Sequence, residues 1–308
     1  MWGRKAAQFL ALRGPMYLRR VVVLVAFLLC SLATYSQEKL SVHWEELTAS
    51  DFIKGMGDAH NTCALPIGIL EKHGPHMPIG TDLLNVRYAA LHAAEKEYVI
   101  VFPEYYFGQI FEARQEPGTI AYSLDLQLKL LQETVNEMAR NGCKKIVIIN
   151  GHGGNESLLP LFAQAQLATP KDFVVFVYGL PRLEVPGRPA KNDSVDMHAG
   201  SSETSHMMVT HPELLKMDKV NTESGRDQDR LKLPDSLYTG IWWYAKFPDH
   251  FSGDPSKATR ALGEFDVNTW VNSIADAFKA VKGEQGDQAI RLQNEYFEKT
   301  IDPIKTKQ

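Results

Sequence analysis

Four short apolar runs, separated by helix-patterned sequence, limit the fold of this chain more than any other feature. They are "CALPIGIL" (63–70), "YVIVFP" (98–103), "KKIVIIN" (144–150) and "DFVVFVYG" (172–179). None alternates apolar with polar residues, so neither face of such a strand is meant for water. The sequence between them has helical spacing: "LLNVRYAALHAAEKE" (83–97), "SLDLQLKLLQETVNEMARNG" (123–142) and a segment from about Glu156 to Leu167. In the second, Leu124, Leu128, Leu131, Val135 and Met138 form one stripe, Ser123 stands at the N-cap, and Asn141-Gly142 end the helix. Strands buried on both faces and separated by helices predict an α/β domain with a mostly parallel sheet, covered on both sides. A helical lead-in (41–56) precedes this core, and two helices (266–283 and 286–300) follow it. No repeat or internal boundary breaks residues 37–308, which read as a single domain.

In such sheets ligands bind beyond the carboxyl ends of the strands. Two loops there carry unusual chemistry. "EKHGPHMPIGTD" (71–82) follows the first run, and "GHGGN" (151–155) follows the third. In the first loop the Glu-x-His spacing puts Glu71 and His73 on the same side of an extended chain. Asp82 opens the next helix, within reach of both. His152 lies among glycines that let the backbone turn sharply. Asn150 and Asn155 are placed to pin that turn. A third segment, "DMHAGSSETSHMM" (196–208), offers His198 in a loop and Glu203 in the first turn of a helix. Glu203 is either a metal ligand or an acid favoured by the helix dipole.

Carboxylates and imidazoles without thiolates suit Zn²⁺, Mn²⁺ or Fe²⁺. With four or five such ligands, one bridging carboxylate can hold two ions, an arrangement suited to hydrolysis. His76 reads as a supporting residue, and His43, His206, His211 and His250 as structural ones. Trp242 and Trp243 read equally as an aromatic lid or as packing. No Gly-x-Ser-x-Gly elbow is present to suggest a serine hydrolase.

Residues 1–36 are set apart. Arg19-Arg20 precede "VVVLVAFLLCSLA", then "TYSQEK", the pattern of a signal peptide cleaved near Ser36. An uncleaved anchor is the alternative, although the run is short for a bilayer span. Met16 is a plausible true start, and Leu28-Leu29 before Cys30 argue against lipidation. Cleavage removes five cations and no acids, moving the formal charge from −4 to −9. That acidity argues against a nucleic-acid partner. The expected protein is therefore exported, periplasmic or secreted, with no stable membrane insertion after cleavage. Of its two remaining cysteines, Cys63 and Cys143, the reading favours buried free thiols over a disulfide.

Five segments in order, "LPIGILEKHGPHMPIGTD", "PGTI", "IVIINGHGGNESLL", "HAGSSETS" and "FSGDPSKAT", resemble the creatininase family of metal-dependent amidohydrolases. The resemblance implies a three-layer α/β/α sandwich, a homo-oligomer (often a hexamer) and a pair of divalent ions. It places Glu71 and His152 on one ion, His73 on the other, and Asp82 between them. Three positions depart from the family pattern. Gly154 stands where creatininase itself has a glutamate ligand, a role left to Glu203 or to a weakly held second ion. Ser201 stands where relatives commonly have glutamate, and Lys72 where glutamine is usual, so Lys72 is expected to point away from the ions.

The implied activity is hydrolysis of a non-peptide C–N bond in a small cyclic amide or formamide by a metal-bridging hydroxide. His198 would transfer a proton to the leaving nitrogen or bind the substrate carbonyl. The rival reading is an exported, non-catalytic metal or small-molecule binding protein that keeps the family fold.

Overall fold

The computed structural model describes residues 39–180, 183–190, 195–234 and 236–305, so the expected signal segment lies outside the described residues. The lead-in is a short 3-10 turn (Trp44–Glu46) followed by α1 (Ala49–Asp58), whose N-cap Thr48 accepts a hydrogen bond from the Asp51 N–H. Then come β1 (Thr62–Ile67), α2 (Thr81–Lys96), β2 (Ile100–Val101), α3 (Leu124–Arg140), β3 (Lys145–Asn150) and α4 (Leu158–Ala165). β4 (Val174–Tyr178), α5 (Ser201–Thr210), the short α6 (Trp242–Lys246), α7 (Arg260–Lys282) and α8 (Glu284–Thr300) complete the described elements. All strand pairs are parallel, in the order β2-β1-β3-β4. Ser41–Gln308 form one compact unit.

Side chains of successive strand residues leave opposite faces, and the core divides accordingly. Ala64, Val147 and Ile149 pack against α2 and α7, through Val86, Ala89, Ala90, Ala93, Trp270, Ile274 and Phe278. Cys63, Leu65, Ile67, Ile146 and Ile148 pack on the other face, against Leu131, Val135 and Met138 of α3 and Leu159 and Phe162 of α4. The result is a helix–sheet–helix sandwich, as expected. Alanines on α2 let that helix lie close to the sheet. Gly68 serves the same approach, because a Cβ there would stand 2.3 Å from the Leu83 Cα.

Three local readings change. The run 98–103 supplies only a two-residue strand, because it lies at the sheet edge and Pro103 lacks an N–H; Val101 N–H instead bonds the Val42 carbonyl. Ser123 occupies the N-cap of α3, but its hydroxyl bonds Asp125 rather than a helix N–H, and Leu124 at the head of the stripe is exposed. The third change concerns the cysteines. Cys63 and Cys143 form a disulfide, 80 positions apart in sequence and with Cα atoms 5.7 Å apart. Cys143 directly precedes β3, whose first residues lie beside the start of β1, and this parallel register brings the two thiols together.

Closing so long a loop restricts the unfolded chain, an effect worth about 2–4 kcal/mol. A Cys63→Ala/Cys143→Ala double variant is expected to lose about that much in urea unfolding. Alkylation of the denatured, non-reduced mature chain should label neither thiol.

Candidate metal centre

β1 and β3 end level with each other: Ile67 pairs with Asn150, and Gly151 N–H bonds the Ile67 carbonyl. The loops after these strands therefore start side by side on one rim. Glu71 and His73 leave the first loop, and Asp82 lies in the first turn of α2. His152 leaves the second loop, where Asn150 accepts the His152 N–H. Asn155 acts elsewhere than expected, accepting the Gln109 N–H from a neighbouring segment. From the third segment come His198 and Glu203, the latter in the first turn of α5.

The expected ligands converge. His152 Nδ1 lies 3.0 Å from Glu71 Oε1 and 2.8 Å from Asp82 Oδ2. His73 Nε2 lies 3.1 Å from Asp82 Oδ1, 3.9 Å from Glu71 Oε1 and 4.0 Å from Glu203 Oε2. Two groups that share Asp82 result: Glu71, Asp82 and His152, and His73, Asp82 and Glu203. A third joins Glu71, His73 and His198. Ligand atoms about 2.0–2.2 Å from a tetrahedral ion stand roughly 3.3–3.6 Å apart, which the separations here bracket.

The histidine protons identify what faces the centre. His73 Nδ1 lies 3.2 Å from the Glu71 carbonyl, His152 Nε2 2.9 Å from the Gln109 carbonyl, and His198 Nε2 2.8 Å from the Lys72 carbonyl. A carbonyl only accepts, so each of these nitrogens carries the proton, and the opposite nitrogen of each ring turns a lone pair inward. Glu71 Oε1 and Asp82 Oδ2 are buried with no hydrogen-bond partner among the described residues. Lone pairs facing one another in this way fit a divalent cation.

Titration follows the same logic. Burial alone would lower His73, but Asp82 at hydrogen-bond distance, with Glu71 and Glu203 nearby, pushes it up to about 10. His152 is raised well above its ordinary value, because Glu71 and Asp82 outweigh its burial. Burial would raise Glu71, yet His152, His198 and His250 hold it well below the usual carboxylate range. Burial pushes Glu203 up to about 7, with Asp82 and Glu71 adding to the rise against His73 and the Ala199 N–H. His198 is lowered well below its ordinary value, first by burial and then by its neighbours His73 and His250, despite the Glu71 charge.

Glu203 lies both in the first turn of α5 and beside the cluster. Its Oε2 accepts the Ala199 N–H at 2.6 Å ahead of α5, and the same oxygen lies 3.9 Å from His198 Nδ1. Gly154 is explained by packing: a Cβ there would stand 2.4 Å from His152 Nε2 and 2.8 Å from the Gln109 carbonyl, so any side chain would break that hydrogen bond. Lys72 points away from the cluster, paired with Glu116 at 3.2 Å and Glu223 at 2.9 Å. Ser201 is buried, and its hydroxyl has no hydrogen-bond partner among the described residues. His76 supports the loop from outside the cluster, with Nε2 2.8 Å from the Thr204 hydroxyl; burial, then His73, lowers it to about 4.

His250, read as structural, hydrogen-bonds a carboxylate of the cluster. Its Nδ1 accepts the Trp243 indole N–H at 2.8 Å, which leaves the proton on Nε2, in short contact with Glu71 Oε2. Trp243–His250–Glu71 is thus a chain that orients a carboxylate of the cluster. Trp243 packs against Phe247, His198 and His250. His250 has φ 49, a left-handed conformation uncommon for a non-glycine residue and a sign of local strain. The sequence signal was its position just before "FSGDP", which opens one of the five segments that carry the family resemblance.

The model of the creatininase family, described as creatinine amidohydrolase, matches residues 45–278. Creatinine amidohydrolase of Pseudomonas putida is 26% identical over 272 residues, covering 78% of this chain and 96% of its own length. Mycofactocin precursor peptide peptidase of Mycolicibacterium smegmatis is 28% identical over 226 residues, covering 70% and 83%. Both names denote hydrolysis of C–N bonds. A solved mutant creatininase of the Zn–Zn type superposes with a TM-score of 0.66 at 23% identity, over 80% of this chain and 100% of that one, a likeness of fold. With three quarters of its length matched by the family model, this chain belongs to the creatininase family of amidohydrolases.

Proposed function

We propose that this chain is an exported, metal-dependent amidohydrolase that cleaves a non-peptide C–N bond in a cyclic amide or formamide. The observation that carries this reading is Asp82, whose two oxygens face two different histidines, His73 and His152, within one buried cluster. On this reading Glu71, Asp82 and His152 hold one divalent ion, and His73, Asp82 and Glu203 hold the second. Glu203 then stands in for the ligand that Gly154 cannot supply. Bound divalent ions supply water activation and carbonyl polarisation.

The protein's own groups do the rest. Asp82 fixes the spacing of the two halves, and His250, with its proton on Nε2, keeps Glu71 turned inward. His198 presents Nδ1 as a proton acceptor, its Nε2–H being held by the Lys72 carbonyl. That arrangement favours proton transfer over carbonyl binding for His198. Ala199 N–H holds Glu203 in place. Zinc in a solved creatininase of the same fold supports Zn²⁺ as one occupant, and Mn²⁺ or Fe²⁺ suits the same donor set. The disulfide supports maturation in an oxidising compartment. Assembly into a homo-oligomer is part of the same proposal.

Metal analysis of the purified mature chain should find about two divalent ions per subunit. Asp82→Ala should lose at least about half of that metal, and unchanged occupancy would rule out the bridging role. Gly154→Ala is expected to weaken metal binding by about 10–100-fold by displacing His152 from the Gln109 carbonyl; wild-type affinity would refute that account. A screen of cyclic amides and formamides with added Zn²⁺ or Mn²⁺ should reveal turnover. Ligand-dependent stabilisation without product would instead mark a binding protein.

A further inference from the structure

A cavity of about 810 Å³ is lined by residues 109–115 and 238–244, one residue out from the cluster's own side chains. Two of its lining residues join it to the cluster. The Gln109 carbonyl accepts the His152 Nε2–H, and the Trp243 indole donates to His250 while its ring lies 6.0 Å from that of His198. Ligands of drug-like size occupy cavities of about 300–1,000 Å³, so this space is generous for a single small cyclic amide. Five aromatic residues, Phe111, Tyr238, Trp242, Trp243 and Tyr244, line it. Several of these side chains are exposed, Tyr238 at 83%, so a ring that entered would cover apolar surface now facing water.

Two opposite charges share the cavity, Glu112 and Arg114. They flank Ala113 in a short 3-10 turn, and neither forms an ion pair or side-chain hydrogen bond with a described residue. Elsewhere the cations beside the site are matched: Lys72 has Glu116 and Glu223, and Arg188 has Asp266. A free carboxylate and a free guanidinium, separated from each other in an aromatic cavity, complement a ligand that carries a ring and both signs of charge.

We propose that the substrate is an amide or formamide borne on the aromatic part of an amino acid. Its ring lies among the aromatic walls, its scissile bond points past Trp243 to the metal centre, its carboxylate meets Arg114, and its ammonium meets Glu112. This rests on the amidohydrolase reading for the chemistry but not for the binding, and the two can be tested apart.

Calorimetry on the metal-loaded mature chain would use four probes: L-phenylalanine, 3-phenylpropanoate, phenethylamine and glycine. L-phenylalanine should bind most tightly and glycine at least about tenfold more weakly. Arg114→Gln should weaken L-phenylalanine and 3-phenylpropanoate by about tenfold and leave phenethylamine unchanged. Glu112→Gln should do the converse. A carboxylate captured by the metals would be insensitive to Arg114, so an unchanged affinity in Arg114→Gln overturns the proposal. So does wild-type protein that fails to bind L-phenylalanine, or that binds glycine equally well. Binding with the expected charge dependence but no turnover of any amide would leave the cavity assignment standing and sink the amidohydrolase reading instead.

Discussion

Placing carboxylates side by side away from water is the most costly arrangement in this molecule, and the rest of the site is built around it. Glu71 and Asp82 are buried together, and Glu203 stands close by. An ion removed from water forfeits several kcal/mol of solvation. The sheet offsets that cost. Ile67 and Asn150 end the two central strands at the same level, on a core in which residues such as Leu65, Ile146 and Ile148 are wholly buried. Each such side chain contributes roughly 1.5–3 kcal/mol on burial. A rim that would be unstable by itself is thus carried by the part of the fold with stability to spare, a division common at functional sites.

Orientation comes from the backbone more than from side chains. His73, His152 and His198 arrive from three segments, and each gives its outer proton to a main-chain carbonyl, of Glu71, Gln109 and Lys72 respectively. Those carbonyls are placed by the course of the chain, so no particular side chain is needed to select the tautomer. Gly154 belongs to the same scheme, because it keeps the path open between His152 and Gln109. His250 is the exception. Its ring is set by the Trp243 side chain, and its proton goes to Glu71.

This contrast explains what the sequence disclosed. The sheet was legible because strands buried on both faces need unbroken apolar runs, and the side-chain cluster because Glu71, His73, Asp82 and His152 lie in compact strings at strand ends. The short β2 was less legible, since a sheet edge depends on which neighbour supplies hydrogen bonds, here Val42. The disulfide depends on strand register, which one sequence does not display, so Cys63 and Cys143 looked like ordinary core thiols. His250 was missed for a related reason. It meets Glu71 from 179 residues away, through a strained backbone that no periodicity announces. Glu203 stayed ambiguous because one oxygen both accepts the Ala199 N–H ahead of α5 and faces the cluster.

Lys72 shows how the loop separates gripping from binding. It stands between Glu71 and His73, and an extended chain turns alternate side chains to opposite sides. Its charge is therefore spent away from the ligands, on Glu116 and Glu223 from two other segments. Its carbonyl meanwhile holds His198. Glutamine at this position would offer a hydrogen bond there but no charge to match two carboxylates. With lysine, the segments around Glu116 and Glu223 are tied to the same residue whose backbone joins Glu71 to His73. Displacing either segment pulls on that backbone, so the packing around the site and the geometry of its ligands are held by one side chain.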